Sequence, residues 1–279
     1  MKKNIIISNP IRLEKIKKEM IKDGVGKIYV LADFDRTLTK NGKSRPSIIS
    51  ILRDKNYLRS DYSQKAKALF NKYHPMEVDP YILMKQKKKA MEEWWRSHFN
   101  LLVKSGLNKK DLKSIIELGI IEFREGVLEF LDFLKEYKIP LVIMSSGGLG
   151  KDPIKIFLNK KKRLYNNIHI ISNSYNWDKA GNAISVEEPI IHCMNKDETM
   201  IQKFPVFKVI KERKNVLLLG DNLGDIGMID GFDYDNLIKI GFLNSEIEKN
   251  LEEYQRSYDV LILNDGSMDY VNNFLKKIV

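Results

Sequence analysis

Two aspartates stand two positions apart at the end of an apolar run, in the stretch KIYVLADFDRTLT (27–39). Side chains two apart on an extended strand share a face, so Asp33 and Asp35 can point into one cleft. Two more acidic residues, Asp221 and Asp225, follow another apolar run in VLLLGDNLGD. Four carboxylates at close range repel one another unless protons or a cation intervene. Because the ligand atoms are all oxygens, the sequence predicts a hard ion such as Mg²⁺ at this cleft.

A third apolar run, IPLVIMSSGG (139–148), ends in hydroxyl and glycine residues. The Ser145 hydroxyl and the backbone N–H of Ser146 can donate to phosphate oxygens in a loop that opens a helix. The continuation GGLGK is similar to the end of a nucleotide-triphosphate loop, but Asp152 stands where that motif requires Ser or Thr. Each segment alone is typical of an ordinary turn, whereas three of them in order, each after a strand, indicate a phosphate site.

The elements that must position these residues alternate between strand and helix. Short apolar runs typical of strands buried on both faces of a parallel sheet occur at 28–33, 139–146, 168–173, 216–221, 237–242 and 259–264. Helical patterns such as EGVLEFLDFLKEY (125–137) separate them. The alternation predicts a doubly wound α/β fold, in which ligands bind at the carboxyl ends of the strands.

One region breaks this alternation. Residues 46–120 contain several helical patterns and no convincing strand. We interpret this region as a helical cap inserted after the first strand, which leaves 1–45 and 121–279 as the catalytic core. Within the cap, Trp94 and Trp95 are adjacent on a helix and point about 100° apart, so they cannot both be core residues.

Composition limits the function classes. The chain has 279 residues, of which 43% are hydrophobic and 30% charged, as expected for a soluble globular protein. The net charge of +11 suits an anionic partner such as a phosphate ester, a nucleic acid or an acidic membrane surface. The lysine-rich patches at 85–90 and 159–164 are short, lie within helical patterns and are typical of solvated helix faces.

The cysteine content and the N-terminal residues bear on the compartment. Cys193 is the single cysteine, which excludes an internal disulfide and fits a reducing compartment. The apolar run near the N-terminus is interrupted at Ser8, Asn9 and Pro10, far below the length of a signal peptide or membrane span. We interpret Ser8 or Asn9 as a helix cap with Pro10 in the first turn, and we expect a cytoplasmic protein.

The three motifs resemble those of the haloacid dehalogenase superfamily of phosphotransferases: DFDRTLT its motif I, IMSSGG its motif II and LLLGDNLGDIGM its motif IV. Further segments narrow the resemblance to the cytosolic 5'-nucleotidase III, or pyrimidine 5'-nucleotidase, family. They are HPMEVDP (74–80), RSHFNLL (96–102), FREG (123–126), IIHCMNKDE (190–198), IKIGFLN (238–244) and YDVLILND (258–265). The chain departs from the family pattern at Arg36, a bulky cation, and in SSGG in place of Ser-Ala-Gly.

The resemblance implies a Rossmannoid core and a mechanism. It assigns Asp33 as the nucleophile that forms an aspartyl-phosphate, and Asp35 as the general acid and base. It also implies that Asp35 binds the metal through its backbone carbonyl. Asp221 becomes the second carboxylate ligand, with Asp225 outside it supporting the metal-bound waters. Lys196, in NKDE, would stabilise both the phosphate and the intermediate.

The resemblance also implies the substrate and how it is bound. Ser145, Ser146 and Lys196 would bind the phosphate, whereas Glu77 and Ser97 match cap positions that contact the nucleoside. We therefore expect a Mg²⁺-dependent nucleoside 5'-monophosphate phosphatase, with CMP, UMP and 7-methyl-GMP all open as substrates. We expect a monomer without nucleic-acid or membrane partners.

The residues themselves leave two other functions open. A phosphatase of the same superfamily that acts on another small ester, such as phosphoserine, is compatible with motifs I, II and IV alone. A basic nucleic-acid-binding protein would require clustered Lys and Arg with exposed aromatics, whereas the lysines here are dispersed.

Overall fold

The protein is described by a computed structural model that covers residues 4–41, 47–54, 57–59, 61–79, 81–197 and 201–279. A seven-stranded sheet with strand order β1-β9-β8-β7-β2-β3-β4 forms its centre, and β5 and β6 form a separate hairpin. The strands are β1 (Ile5–Ile7), β2 (Ile28–Ala32), β3 (Leu141–Ser145), β4 (Ile168–Ser172), β5 (Tyr175–Trp177), β6 (Ala183–Val186), β7 (Asn215–Gly220), β8 (Asn236–Leu243) and β9 (Val260–Leu263). All pairs in the large sheet are parallel except β1 with β9.

Helices flank the sheet and fill the segment between β2 and β3. The first seven are α1 (Pro10–Asp23), α2 (Ile48–Asp54), α3 (Tyr62–Val78), α4 (Met84–Lys104), α5 (Lys109–Glu117), α6 (Val127–Glu136) and α7 (Lys151–Lys160). Later helices span Phe207–Ile210, Ile247–Ser257 and Asp269–Leu275, and short 3-10 helices span Val25–Lys27 and Leu223–Ile229. None of the described helices is long and apolar enough to cross a membrane.

The predicted α/β fold is confirmed, and each of the six predicted strands is present with ends shifted by at most two residues. The expected helix start is confirmed too, because Pro10 is the first residue of α1 and the Asn9 side chain accepts a hydrogen bond from the Arg12 N–H at 3.0 Å. The edge strand β1 and the β5–β6 hairpin were not predicted. Both consist of strands of three or four residues, too short to show a periodic pattern.

The register of the central strands brings the three motifs to one edge. Strand β2 lies between β7 and β3, with Ala32 opposite Leu219 of β7 and Ile143 of β3. Every residue of these three strands is buried. The pairing continues one residue beyond β2, where the Asp33 N–H donates to the Leu219 carbonyl at 3.0 Å. Parallel strands end at the same edge, so the residues that follow them converge there.

The inserted helices α2 to α5 pack onto the core. The apolar cluster on one face of the sheet continues without a break into this insertion, through residues such as Leu52, Tyr62 and Phe99. A second, smaller cluster lies within the insertion and contains Tyr73, Ala90, Met91 and Trp94. The division of the chain into core and cap stays a prediction, and its first boundary, at 45–46, lies outside the described residues.

A buried arginine fixes the loop that follows β2. The Arg124 side chain is 1% exposed and donates to the carbonyl of Thr37 at 2.8 Å, to that of Gly266 at 2.7 Å and to that of Arg36. It also lies 3.1 Å from the Asp265 carboxylate. A guanidinium with five donors can hold several carbonyls at fixed angles, so Arg124 ties the loop of motif I to the chain after β9.

We expect Arg124→Met to lower the free energy of unfolding by about 3–5 kcal/mol, because it leaves the carbonyls of Thr37 and Gly266 without the buried donor that binds them. Arg124→Lys should lower it too, since an ammonium cannot reach all of these acceptors. Urea denaturation followed by circular dichroism measures the change. The exposed Arg256 is the control, and its replacement by Met should cost less than about 0.5 kcal/mol. A loss below about 1 kcal/mol for Arg124→Met would contradict the assigned role.

Candidate active site

Three of the predicted acidic residues form one cluster. Carboxylate oxygens of Asp33, Asp221 and Asp225 all lie within 4.8 Å of one another. Gly220 permits this arrangement at the end of β7, because a Cβ there would lie 2.6 Å from the Asp225 Cβ. The Asp225 Oδ2 accepts hydrogen bonds from the N–H groups of Asp221 at 3.2 Å and Asn222 at 3.1 Å. Asp225 is therefore held by the backbone of its own turn.

Lys196 inserts its ammonium into this cluster. Its Nζ lies 2.6 Å from Asp33 Oδ1 and 3.0 Å from Asp225 Oδ1, and all three side chains are buried. Burial disfavours the charged form of Lys196, but the Asp225 and Asp33 carboxylates outweigh it and raise the pKa of the ammonium. The lysine stays protonated at neutral pH as a fixed cation beside Asp33.

The cluster holds more negative charge than Lys196 balances. Burial raises the pKa of Asp33 well above its usual value; Lys196 opposes this shift, and Asp225 and Asp221 add to it. Burial, with Asp225, also raises the pKa of Asp221 to about 7. Close oxygen donors whose ionised forms repel one another fit a hard divalent cation, which would favour the ionised form of both residues.

Asp35 lies beside the loop that follows β3. Its Oδ2 lies close to Gly147, at 3.8 Å from the position that a Cβ would take there. Asp35 and Ser145 line one small cavity. Burial raises the pKa of Asp35, while Arg36 and Lys196 oppose the shift. The raised pKa favours a carboxylic acid that can donate a proton. The Ser145 Oγ accepts from the Gly147 N–H at 3.1 Å, which leaves its own proton available to a ligand.

The insertion contacts this loop through α4. The Trp95 indole N–H donates to the Ser146 carbonyl at 3.0 Å. The His98 imidazole packs against Gly148, where a Cβ would lie 2.9 Å from Nε2 and would displace the ring. Trp94, in contrast, is 8% exposed and stacks on Tyr73, with ring centroids 6.0 Å apart. The two tryptophans thus differ in environment, as their positions on the helix predict.

Of the two predicted nucleoside contacts, only Glu77 is linked to the site by a hydrogen bond among the described residues. Its Oε1 accepts from the Cys193 thiol, with Sγ at 3.1 Å, three residues before Lys196. Ser97 is half-buried on α4, directly before His98. The roles of both residues stay predictions. Pro80 and Glu198, which complete the two quoted segments, lie outside the described residues.

Sequence reasoning missed several residues that support the site. Tyr254 donates to the Asp221 carbonyl at 2.9 Å, and Tyr258 donates to the Asn222 carbonyl at 2.6 Å. Arg124 holds the loop after β2. Tyr258 and Arg124 lie in segments that carry the family resemblance, but neither residue type indicates a backbone contact before the fold is known.

The fold and the acidic edge define the class of protein. Two phosphoserine phosphatase structures match with TM-scores of 0.53 and 0.54 at 20% and 19% identity, and each comparison covers 89% of this chain and at least 97% of the other. At this level of identity the match concerns the fold alone. The chain has the fold of the haloacid dehalogenase-type phosphatases, whose acid-lined site implies a divalent metal.

The family follows from comparison with known proteins. The sequence profile of the pyrimidine 5'-nucleotidase (UMPH-1) family matches residues 34–279. The human 7-methylguanosine phosphate-specific 5'-nucleotidase is 33% identical over 100% of this chain and 94% of its own length. The putative cytosolic 5'-nucleotidase 3 of Caenorhabditis elegans is 33% identical over 99% of this chain and 74% of its own. The chain belongs to the pyrimidine 5'-nucleotidase family and is an enzyme of the 5'-nucleotidase class.

The crystal structure of cytosolic 5'-nucleotidase IIIB bound to cytidine matches with a TM-score of 0.89 and 25% identity. That match covers 100% of this chain and 94% of the other. The family resemblance, the α/β fold and the enzyme class inferred from the sequence are thereby confirmed.

We expect Lys196→Met to lower kcat by roughly 100-fold or more, because it removes a fixed cation from developing negative charge. The loss should be similar for different nucleotides and for p-nitrophenyl phosphate, since phosphate is the part they share. Steady-state kinetics over such a panel measures this. The control, Lys203→Met, neutralises an exposed lysine nearby in sequence and should leave the rates unchanged. Losses that differ strongly between substrates would place Lys196 at the nucleoside instead.

Proposed function

We propose that this enzyme hydrolyses nucleoside 5'-monophosphates with Mg²⁺ through an aspartyl-phosphate on Asp33. The observation that carries the proposal is the buried Lys196 ammonium, 2.6 Å from Asp33 Oδ1, inside a group of three carboxylates. To attack a phosphate dianion, Asp33 must be ionised, and a nearby cation favours its ionised form. A second cation must offset the negative charge of the phosphate. Lys196 supplies one of them.

The residues that would hold Mg²⁺ are the carboxylates of Asp33 and Asp221 and the backbone carbonyl of Asp35. Bound there, the ion would withdraw charge from the phosphate oxygens and reduce their repulsion of Asp33. Asp225 supports the site from outside, since its oxygens are already bound by Lys196 and by two backbone N–H groups.

The first step transfers the phosphoryl group to the enzyme. An Asp33 carboxylate oxygen forms a bond to phosphorus while the bond from phosphorus to the 5'-oxygen breaks. The Asp35 carboxylic acid gives its proton to the leaving 5'-oxygen, which departs as the nucleoside hydroxyl. The Lys196 ammonium and the Ser145 hydroxyl bind the phosphoryl oxygens during the transfer.

The second step releases phosphate. Asp35, now a carboxylate, takes a proton from water as the water oxygen bonds to phosphorus. The bond from phosphorus to the Asp33 oxygen breaks, and Asp33 and Asp35 return to their initial states. The raised pKa of Asp35 suits both steps, because the group must carry a proton in one and accept it in the other.

We assign the nucleoside to the junction between α3, α4 and the segment before Lys196. Glu77 lies there with a carboxylate that can accept a hydrogen bond from a base amino group, and Trp95 is half-buried nearby on α4. The names of the relatives support pyrimidine nucleotides and 7-methyl-GMP as substrates. The relative named cytosolic supports a cytoplasmic enzyme, and we propose that it acts as a monomer.

A substrate screen tests the proposed function. The panel is CMP, UMP, 7-methyl-GMP, phosphoserine and p-nitrophenyl phosphate, each assayed in Mg²⁺ and in EDTA. We expect release of phosphate from at least one nucleotide in Mg²⁺, at a higher kcat/KM than from phosphoserine, and none in EDTA. Preference for phosphoserine would instead favour a small-ester phosphatase with the same acidic site.

We expect Asp33→Asn to abolish turnover while leaving the fold intact, because an amide cannot act as the nucleophile and has nearly the same volume. Asp35→Asn should slow both formation and breakdown of the intermediate, since each step moves a proton. Rapid-quench kinetics separates the two steps. Asp233→Asn, at an exposed surface position, is the matched control. Wild-type rates in Asp33→Asn would exclude the aspartyl-phosphate route.

We expect Glu77→Ala to reduce kcat/KM for the preferred nucleotide by roughly 5- to 150-fold, which corresponds to about 1–3 kcal/mol for a lost base contact. The value for p-nitrophenyl phosphate should change little, because that ester has no nucleoside. The control is Glu93→Ala, an exposed glutamate of the same insertion. An equal loss for both substrates would make Glu77 a structural residue or part of the phosphate site.

A further inference from the structure

Arg36 has a backbone conformation that bulky residues rarely adopt. It directly follows Asp35, its side chain is exposed, and its φ angle is 63°. A left-handed conformation at such a residue costs free energy, and positions of this kind cluster at functional sites. Glycine would adopt the same angle without strain. The arginine therefore requires an explanation beyond the turn itself.

Three hydrogen bonds fix the backbone of Arg36. Its N–H donates to Thr39 Oγ1 at 2.9 Å. Its carbonyl accepts from the Asn244 side chain at 3.0 Å and from the buried Arg124 guanidinium. Because both polar groups of the peptide backbone are held, the direction in which the side chain leaves the loop is held as well.

Arg36 lies at the edge of the acidic cluster. It stands between Asp35 and Thr37, and the Thr37 hydroxyl donates to Asp221 Oδ1 at 3.5 Å. In the part of the chain that the structure describes, Arg36 forms no ion pair with any of these carboxylates. It is thus an exposed cation at the rim, unlike the buried Lys196.

We propose that Arg36 is a substrate-binding residue that binds the phosphate dianion at the rim of the site. The carboxylates of the cluster repel a dianion that approaches them, and a cation at the rim offsets this repulsion. The planar guanidinium matches phosphate oxygens and is always charged. Orthophosphate, the second product, would be bound in the same way. The inference rests on the proposed function, since it takes the phosphoryl site to be at Asp33.

The test compares Arg36→Met with Arg36→Lys in the full enzyme. We expect Arg36→Met to raise KM for the preferred nucleotide and the inhibition constant of orthophosphate by roughly 5- to 30-fold, with kcat within about twofold. The dependence of kcat/KM on ionic strength should flatten as well, because a rim charge is screened by salt. Arg36→Lys keeps the charge and should lie nearer to wild type in all three measurements.

Lys138→Met is the matched control. Lys138 is also an exposed cation with a left-handed backbone, at φ 53°, but it precedes β3 and lies at the opposite, amino edge of the sheet. Lys138→Met removes a positive charge from a turn with the same backbone conformation, and it should change neither KM nor the inhibition constant of orthophosphate. A salt dependence and phosphate affinity in Arg36→Met equal to those of Lys138→Met would overturn the inference.

The same experiments separate this inference from the proposed function. Absence of Mg²⁺-dependent phosphate release from any nucleotide by the wild-type enzyme would overturn the proposed function. Binding of orthophosphate in Mg²⁺, measured by isothermal titration calorimetry on wild type and Arg36→Met, tests the rim cation without turnover. Equal affinities in that measurement would overturn the inference even in an active enzyme.

Discussion

The Lys196 ammonium, buried between Asp33 and Asp225, is the interaction on which the site depends. Several carboxylates cannot share a buried edge without cations, and the cost of burying an unpaired charge is several kcal/mol. Lys196 removes part of that cost and leaves surplus negative charge that a divalent metal can balance. In the proposed mechanism the same ammonium also binds phosphoryl oxygens, so that one residue would serve both folding and chemistry.

The sheet supplies the geometry for this interaction. Strands β7, β2 and β3 are adjacent, parallel and buried, so the residues that follow them meet at one edge. Side chains from other elements bind the loops beyond that edge. Arg124 donates to carbonyls of the loop after β2, and Tyr254 and Tyr258 donate to carbonyls of the turn after β7. The insertion contacts the remaining loop through Trp95 and His98. The three loops that follow β2, β3 and β7 are thus each held by hydrogen bonds from side chains elsewhere in the fold.

Much of this could be predicted from the sequence because the relevant signals are local. The six predicted strands appear as apolar runs, and the pairs Asp33 with Asp35 and Asp221 with Asp225 stand at spacings that indicate one acidic site. Lys196 and Glu77 were named only through family resemblance, since no local pattern distinguishes them from surface residues. Arg124 and Tyr254 could not be predicted, because their roles depend on partners more than 30 residues away that the fold alone brings together. Strand β1 was missed because its three residues are too few to show a periodic pattern.

The central claim is that Asp33 carries the phosphoryl group during turnover, and acid quenching tests it most directly. The enzyme is mixed with Mg²⁺ and its preferred nucleotide, quenched in acid within one turnover, digested and analysed by mass spectrometry. We expect a phosphoryl group on the wild-type peptide that contains Asp33 and none on the same peptide of Asp33→Asn. In Asp35→Asn the phosphorylated fraction should rise if breakdown is slowed more than formation. Phosphate release by the wild-type enzyme with no phosphorylated Asp33 peptide at any quench time would contradict it.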